Sequence, residues 1–251
     1  MERRKLLVIT LIVCLCITLT CGTVFSLTAK NEIVIAQLKY KGGDYEPYKS
    51  SLNVLSGYVV SRTSVILARD KKRIAIQDKD LFLYPLLYMA GAYEFKPFSD
   101  GDVKKLRKYL DHGGTLFIDD SSGQQNSGFD RGIKRLVKRL YPEKSLEKID
   151  EEHAIFRSFY LFKRVPGRKL ISPFLFGINT GDITPVIYSK NDLGGAYAGD
   201  NFGGWDNDCT PGGERQREMS IRLGINIIMY TLTVNYKKDQ VHIPFILQRR
   251  K

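Results

Sequence analysis

The chain has 251 residues, four cysteines and a formal net charge of +12, and its length suits one sizeable domain. Three of the cysteines lie in an apolar N-terminal run, which leaves Cys209 for the domain and excludes a disulfide framework or a cysteine-based zinc site. The positive charge is typical of a protein that binds an anionic polymer or membrane face, or of one whose helices carry Lys and Arg outward.

Residues 1–29 are typical of a targeting segment. Arg3, Arg4 and Lys5 precede an apolar run from Leu6 to Phe25, which is longer than most signal-peptide cores and long enough to span a bilayer. We expect either a cleaved signal peptide or a retained membrane anchor, with the rest of the protein facing the periplasm or the cell exterior. Export makes nucleic acid the least suitable anionic partner, and we expect none.

The first part of the domain, which we assign to residues 30–235, alternates between strand and helix signals. Glu32–Leu38 is rich in β-branched residues and is predicted as a buried strand. A helix is predicted over Tyr45–Val60. Three further strands are predicted, the last of which is opened by Pro85: Ser64–Leu67, Arg73–Ile76 and Leu86–Ala90.

The best-defined helix begins after Ser99, which forms a capping-box pattern with Asp102. The helix is expected to end at Gly113, and a strand over Thr115–Ile118 follows and runs into Asp119-Asp120. A helix, a glycine and a buried strand in this order are typical of a βαβ crossover.

The second half continues the alternation. Basic side chains line a helix predicted over Asp130–Tyr141, and the aromatic residues of Phe156–Phe162 are predicted to be core. Pro185 places the predicted strand Ile183–Tyr188 near a sheet edge. A helix is predicted over Glu214–Leu232, and residues 236–251 are assigned to a basic C-terminal tail. The alternation predicts an α/β sandwich with a mainly parallel sheet.

Several blocks in order resemble the bacterial DUF4159 family of unknown function. They are Leu38–Asp44, Phe82–Met89, Gly113–Asp120, Phe129–Arg131, His153–Phe156, Val186–Gly194 and Gly224–Tyr230. The resemblance covers about residues 32 to 233. It implies a flavodoxin-like three-layer sandwich of the class I glutamine-amidotransferase-like superfamily, whose members use a Cys nucleophile just after a strand. Here Asp119 or Asp120 takes that place, so the resemblance implies no amidotransferase activity.

The acids Asp119 and Asp120 are the first candidate site, because ligands of open α/β sheets sit outside the carboxyl ends of the strands. Either they line a pocket for a polar ligand, or one of them caps the next turn or pairs with an arginine such as Arg131 or Arg222. Gly43 and Asp44, after the first strand, either offer backbone amides to a ligand or only permit a tight turn.

Three further candidates complete the predicted site. Asp192 opens a loop rich in acids and aromatic rings, of which Trp205 suits stacking on a sugar. His153 is either an acid–base group or a structural hydrogen-bonder. Arg131 either pairs with an acid across the pocket or lies on the surface. The loops lack nucleotide-binding and EF-hand signatures, so we expect no cofactor and no resident metal.

Three functions remain open from the sequence. The first is a non-catalytic domain that binds a polar small molecule or a glycan. The second is a hydrolase that uses Asp119 or Asp120 as a general base or metal ligand, with His153 assisting. The third is a scaffold that docks through its basic surface. Because the predicted strand ends on acids instead of Cys or Ser, the sequence favours a protein that is not an enzyme.

Overall fold

A computed structural model describes residues 32–200 and 202–248, with side chains described through residue 233. The N-terminal targeting segment predicted at residues 1–29 lies outside the described residues. No helix of the described part is both long and apolar enough to cross a bilayer.

Within the described residues, seven short strands form one sheet. They are β1 (Ile35–Leu38), β2 (Lys72–Ile74), β3 (Leu86–Gly91), β4 (Thr115–Asp120), β5 (Glu147–Lys148), β6 (Phe176–Thr180) and β7 (Ile183–Ser189). The order across the sheet is β2-β1-β3-β4-β7-β6-β5. The first five strands in this order are parallel, and β6 and β5 extend the sheet antiparallel. Counted along the chain, the parallel strands follow the 2-1-3-4-5 order of flavodoxin-like folds.

Helices cover both faces of the sheet, which completes three layers. One face carries α1 (Ser51–Arg62), the short α4 (Leu193–Ala196) and the long α5 (Gly213–Gln248), and the other carries α2 (Asp100–Asp111) and α3 (Gly128–Leu140). Every residue of β3 and β4 is buried, because alternate side chains enter the two cores. The α/β class and the mainly parallel sheet are therefore confirmed.

The strongest local signals of the sequence are confirmed in detail. The Ser99 hydroxyl accepts a hydrogen bond from the Asp102 N–H at 3.2 Å, and Asp102 accepts from the Ser99 N–H at 3.3 Å. Gly113 follows the end of α2 with a φ of +106°, a left-handed conformation that suits glycine. β4 then begins at Thr115, as predicted.

The weaker signals gave wrong boundaries. Helix α1 begins at Ser51 and not at Tyr45, and α5 continues to Gln248, so the backbone of the assigned tail is continuous with this helix through residue 248. The segment predicted as a strand over Ser64–Leu67 contributes one bridge, between Leu67 and Ile33.

The edge position inferred from Pro185 is wrong, because β7 lies between β4 and β6. Pairing with β4 begins one residue later, at Val186, and the register with β6 shifts between Ile178 and Thr180. A proline at such an irregularity is tolerated within a sheet, since the ladder is already interrupted there.

Candidate functional site

The two acids at the end of β4 point to opposite faces of the sheet. Alternation along the strand places Asp119 on the face of α1 and α5 and Asp120 on the face of α2 and α3. Both carboxylates are buried. They consequently belong to two separate clusters and do not act as a single pair.

Asp119 holds the start of helix α4. Its Oδ1 accepts the Leu193 N–H at 2.9 Å, and its Oδ2 accepts the Gly194 N–H at 2.7 Å and the Tyr88 hydroxyl at 2.9 Å. Burial, together with the negative charge of nearby Asp192, raises the pKa of Asp119 well above its ordinary value despite these three hydrogen bonds.

Asp192 begins the same helix in a strained conformation, with a φ of +54°. Its Oδ1 accepts the Gly195 N–H at 3.0 Å, and its Oδ2 accepts the Tyr48 hydroxyl at 2.9 Å and the Arg168 Nε–H. Burial raises the pKa of Asp192, and the Arg168 guanidinium opposes that rise. Burial is thus the first cause of the raised pKa of both carboxyls, and the cation of this cluster, Arg168, pairs with Asp192.

Tyr197 adds a buried hydroxyl to this cluster. Its Oη has no hydrogen-bond partner among the described residues, and burial followed by the charges of Asp119 and Asp192 holds its pKa well above the ordinary value. Gly194 is packed so closely that a Cβ there would lie 2.4 Å from the Tyr88 hydroxyl oxygen. The cluster is thus tightly filled.

Asp120 fixes the loop that follows β4. Its Oδ1 accepts the Ser122 N–H at 2.9 Å and its Oδ2 accepts the Ser127 hydroxyl at 2.7 Å. Ser127 in turn accepts the Asp130 N–H at 2.9 Å and caps α3. Burial raises the pKa of Asp120. The capping alternative predicted for this acid pair is confirmed for Asp120.

Behind Asp120 lies a second buried acid, Asp130. Its carboxylate is 2.6 Å from Lys134 Nζ and 3.2 Å from Lys190 Nζ, and it accepts the Tyr188 hydroxyl at 2.9 Å. Burial works against ionisation here, but the two lysines and the tyrosine lower the pKa of Asp130. The negative charge of Asp130 is therefore balanced by the two lysines.

Gly43 and Asp44 lie at the switch point between β1 and β3, where ligands of this fold class bind. The Asp44 Oδ1 accepts the N–H groups of Ala92 at 2.9 Å and Tyr93 at 3.3 Å, so it bridges the loops after both strands. A Cβ at Gly43 would lie 3.3 Å from the Phe95 Cβ. The carboxylate takes backbone donors that a phosphate would use, which disfavours a phosphate loop here.

Arg131 lies on the surface beside this switch point. It donates to the Asn126 carbonyl at 2.8 Å and lies 3.8 Å from Glu94, which also pairs with Arg135. The alternative that Asp119 or Asp120 pairs with an arginine is wrong for Arg131 and Arg222, because Arg131 lies beside Glu94 and Arg222 pairs with Glu218 at 2.7 Å.

A cleft of about 280 Å³ opens next to these residues, between the loop after β3 and helix α3. Its floor and rim are formed by Phe95, Pro97, Phe98, Gly132, Arg135, Leu136 and Arg139. Arg139 is fixed by hydrogen bonds to the Phe98 carbonyl at 2.6 Å and the Asp100 carboxylate at 2.8 Å. Apolar walls with a few fixed polar groups are typical of small-ligand sites.

Trp205 lies on the opposite side of β4, away from this cleft. Its ring is half-buried, packs against the core beneath α5 and has the Arg217 guanidinium 4.7 Å from its centroid. The neighbouring turn is held by Asp200, which accepts the N–H groups of Phe202 at 2.8 Å and Gly204 at 2.7 Å. Phe202 is 96% exposed and offers the freer aromatic face of this loop.

His153 is not brought together with the other candidates. Its Nδ1 accepts the Ile155 N–H at 3.1 Å, and its Nε2 lies 3.0 Å from the Thr184 hydroxyl. Thr184 lies at the start of β7, about 16 Å along the strand from Ser189, the neighbour of Asp119. Burial lowers the pKa of His153, which fits a neutral structural hydrogen-bonder.

Sequence reasoning missed the partners of the acids. Tyr48, Tyr88 and Arg168 are distant in the chain, and no local pattern marks them. It also passed over Ser121, which directly follows Asp120 and whose buried hydroxyl has no hydrogen-bond partner among the described residues. Across those residues, no three His, Cys, Asp or Glu side chains are grouped to hold a metal ion.

The fold and its strand-end loops define an α/β protein of flavodoxin-like, three-layer architecture. The chain belongs to the DUF4159 family, a domain of unknown function whose model matches residues 34–232. The family predicted from the sequence blocks is thus confirmed. A search of curated proteins returned no match.

Proposed function

We propose that this protein is a non-amidotransferase, amidotransferase-like domain that binds a polar ligand with an apolar face, such as a glycan. The cleft beside the β1–β3 switch point carries this proposal. Its aromatic floor suits the CH face of a sugar ring, and Arg135 and Arg139 supply donors for hydroxyl groups.

Two features of the surrounding loops support binding at this place. Tyr93 is 68% exposed, yet its backbone is held by Asp44, so the ring is presented on a fixed loop. Gln124, Gln125 and Asn126 are exposed on the adjacent loop, whose two ends are held by Asp120. Fixed loops reduce the entropy cost of binding, which favours recognition of a weakly interacting polar ligand.

The role of the four acids follows from the same contacts. Asp44 and Asp120 each accept hydrogen bonds from loop groups around the cleft, and Asp119 and Asp192 do the same for α4. In this proposal the acids build the binding surface and do not touch the ligand.

Arg135→Gln, in the cleft, is expected to weaken glycan binding about tenfold, and Tyr93→Ala, on the adjoining loop, by a smaller factor, while both leave the melting temperature unchanged. Both side chains are exposed, and the Arg135–Glu94 pair on the surface contributes little to stability. The measurement is isothermal titration calorimetry with soluble oligosaccharides, with and without N-acetyl groups.

Lys138→Gln is the matched control, since Lys138 lies one turn along the same helix and outside the cleft. The proposal fails if no oligosaccharide binds, or if this variant weakens binding as much as Arg135→Gln.

A hydrolase with Asp119 as general base is the second candidate, favoured by the raised pKa of this carboxyl. It requires Leu193 and Gly194 to move, since their N–H groups occupy the carboxylate oxygens. This candidate would be favoured if the protein hydrolyses the bound glycan, if Asp119→Asn abolishes the hydrolysis, and if Tyr93→Ala retains it at saturating ligand.

We also propose that the protein is exported, as either a secreted or a membrane-anchored protein. The support is the basic residues and apolar run at residues 1–29. Fractionation of cells followed by N-terminal sequencing of the mature chain would distinguish cleavage from anchoring.

A further inference from the structure

The loop over residues 157–164 is fixed to helix α5 by one side chain. Asn226 accepts the Tyr160 N–H at 2.8 Å and donates to the carbonyl oxygens of Ile155 at 2.7 Å and Tyr160 at 2.8 Å. The Ser158 hydroxyl adds a bond to the Asn226 carbonyl at 2.8 Å. Three of these hydrogen bonds hold residues of the 157–164 loop, and the fourth holds Ile155 just before it.

This fixed loop presents apolar side chains to solvent. Leu161 is 84% exposed and Phe159 is 43% exposed, whereas Phe156 and Phe162 on either side are buried. The prediction that the whole aromatic cluster is core is therefore wrong for Phe159. The two apolar side chains lie two positions apart between basic residues, and exposed apolar groups rimmed by polar side chains mark protein or membrane interaction sites.

The same loop is strongly basic. Arg157, Lys163 and Arg164 are exposed, and the sequence contains no Asp or Glu from His153 to Gly181. Arg157 pairs with Glu152 at 2.8 Å, but Lys163 and Arg164 have no ion-pair partner among the described residues. By contrast, cations of α3 such as Lys134 and Arg135 are paired with Asp130 and Glu94.

We propose that the 157–164 loop is a docking site for an anionic lipid surface. Leu161 and Phe159 enter the interfacial region, where apolar side chains are stabilised, while Lys163 and Arg164 lie at the level of the lipid phosphates. The apolar groups project from a loop and do not line a groove, a shape that suits a fluid interface better than a folded partner, which needs a larger complementary patch.

Binding of the full chain to vesicles of equal parts phosphatidylcholine and phosphatidylglycerol, relative to phosphatidylcholine alone, tests the proposal. Because a cation at a lipid surface contributes about fivefold to binding, Lys163→Gln/Arg164→Gln should reduce this ratio about thirtyfold. Leu161→Ser should weaken binding to the anionic vesicles about tenfold. The ratio cancels any contribution of residues 1–29 that is independent of lipid charge.

Lys104→Gln/Lys138→Gln is the control, because it removes the same charge from exposed positions on α2 and α3. Hydrogen exchange of the wild-type chain should show protection of residues 157–164 on anionic vesicles. The proposal is overturned if the control loses as much binding as the loop variant, or if these residues gain no protection. If the loop binds an acidic protein but residues 157–164 gain no hydrogen-exchange protection on vesicles, the proposal of a lipid partner is likewise overturned.

Discussion

Arg168→Met should lower the free energy of unfolding by about 3 kcal/mol at neutral pH, because it removes the cation that pairs with the buried carboxylate of Asp192. The Arg168 Nε–H donates to Asp192, and Asp119 adds a second negative charge nearby. Without the guanidinium, Asp192 must either stay ionised without compensation or take up a proton. Urea denaturation of the wild type and the variant at the same pH measures the difference.

The pH dependence separates this explanation from a loss of packing. A carboxyl whose pKa is raised on folding binds its proton more tightly in the folded state, so its stabilising effect is complete below the unfolded pKa and is lost as pH rises. The variant raises the pKa of Asp192 further, so its deficit should be larger at about pH 8 than at about pH 5.

Arg222→Met is the matched control, since Arg222 pairs with the half-exposed Glu218 and should cost less than about 1 kcal/mol. Equal deficits in the two variants, or a deficit that does not change with pH, would contradict the electrostatic account of the Asp119–Asp192 cluster.

Local signals allowed much of the fold to be predicted from the sequence. The Ser99–Asp102 capping box, Gly113 and β4 depend on residues within a few positions of one another, and these predictions are accurate. Pro185 failed as an edge signal because its effect depends on the register of two neighbouring strands, which the local sequence does not encode. Long-range pairing decides such positions.

The position of the acids after the strands was predictable from the sequence, but the groups that contact them were not. Strand ends identified Asp119, Asp120 and Asp192, because fold class determines where loops converge. The groups that satisfy these acids come from elsewhere: Tyr48 is 144 positions from Asp192 and Tyr88 is 31 positions from Asp119. Whether a strand-end acid faces a ligand or holds a loop depends on those partners.

The two faces of the sheet at β4 differ in how tightly their side chains are packed. On the α1 and α5 face, acids, tyrosines and Arg168 are tightly packed around the start of α4. On the other face, Asp120 and Asp44 hold loops that leave an open cleft beside them. Burial raises the pKa of both acids of the first cluster, while the cleft on the other face is the proposed ligand site.

Asp119→Asn and Asp120→Asn should differ although the two residues are adjacent. An amide at Asp119 places a donor against the N–H of Leu193 or Gly194, and an unsatisfied buried N–H costs about 1–3 kcal/mol. At Asp120 the amide can keep the bond from the Ser122 N–H and donate to the Ser127 hydroxyl, so we expect a loss below about 1 kcal/mol. Thermal and urea unfolding of both variants measure the contrast.

The Asp119→Asn deficit should shrink as pH rises. The wild type loses stability as pH rises from the unfolded pKa of Asp119 to its folded pKa of about 7, which burial and Asp192 raise, whereas the amide cannot ionise. The deficit is therefore largest below the unfolded pKa of about 4 and declines toward neutral pH, the opposite direction from that expected for Arg168→Met. If both deficits are instead found to grow with pH, Asp119 remains ionised in the folded protein. Its carboxylate then caps α4 permanently, and no protonated form relieves the charge of Asp192.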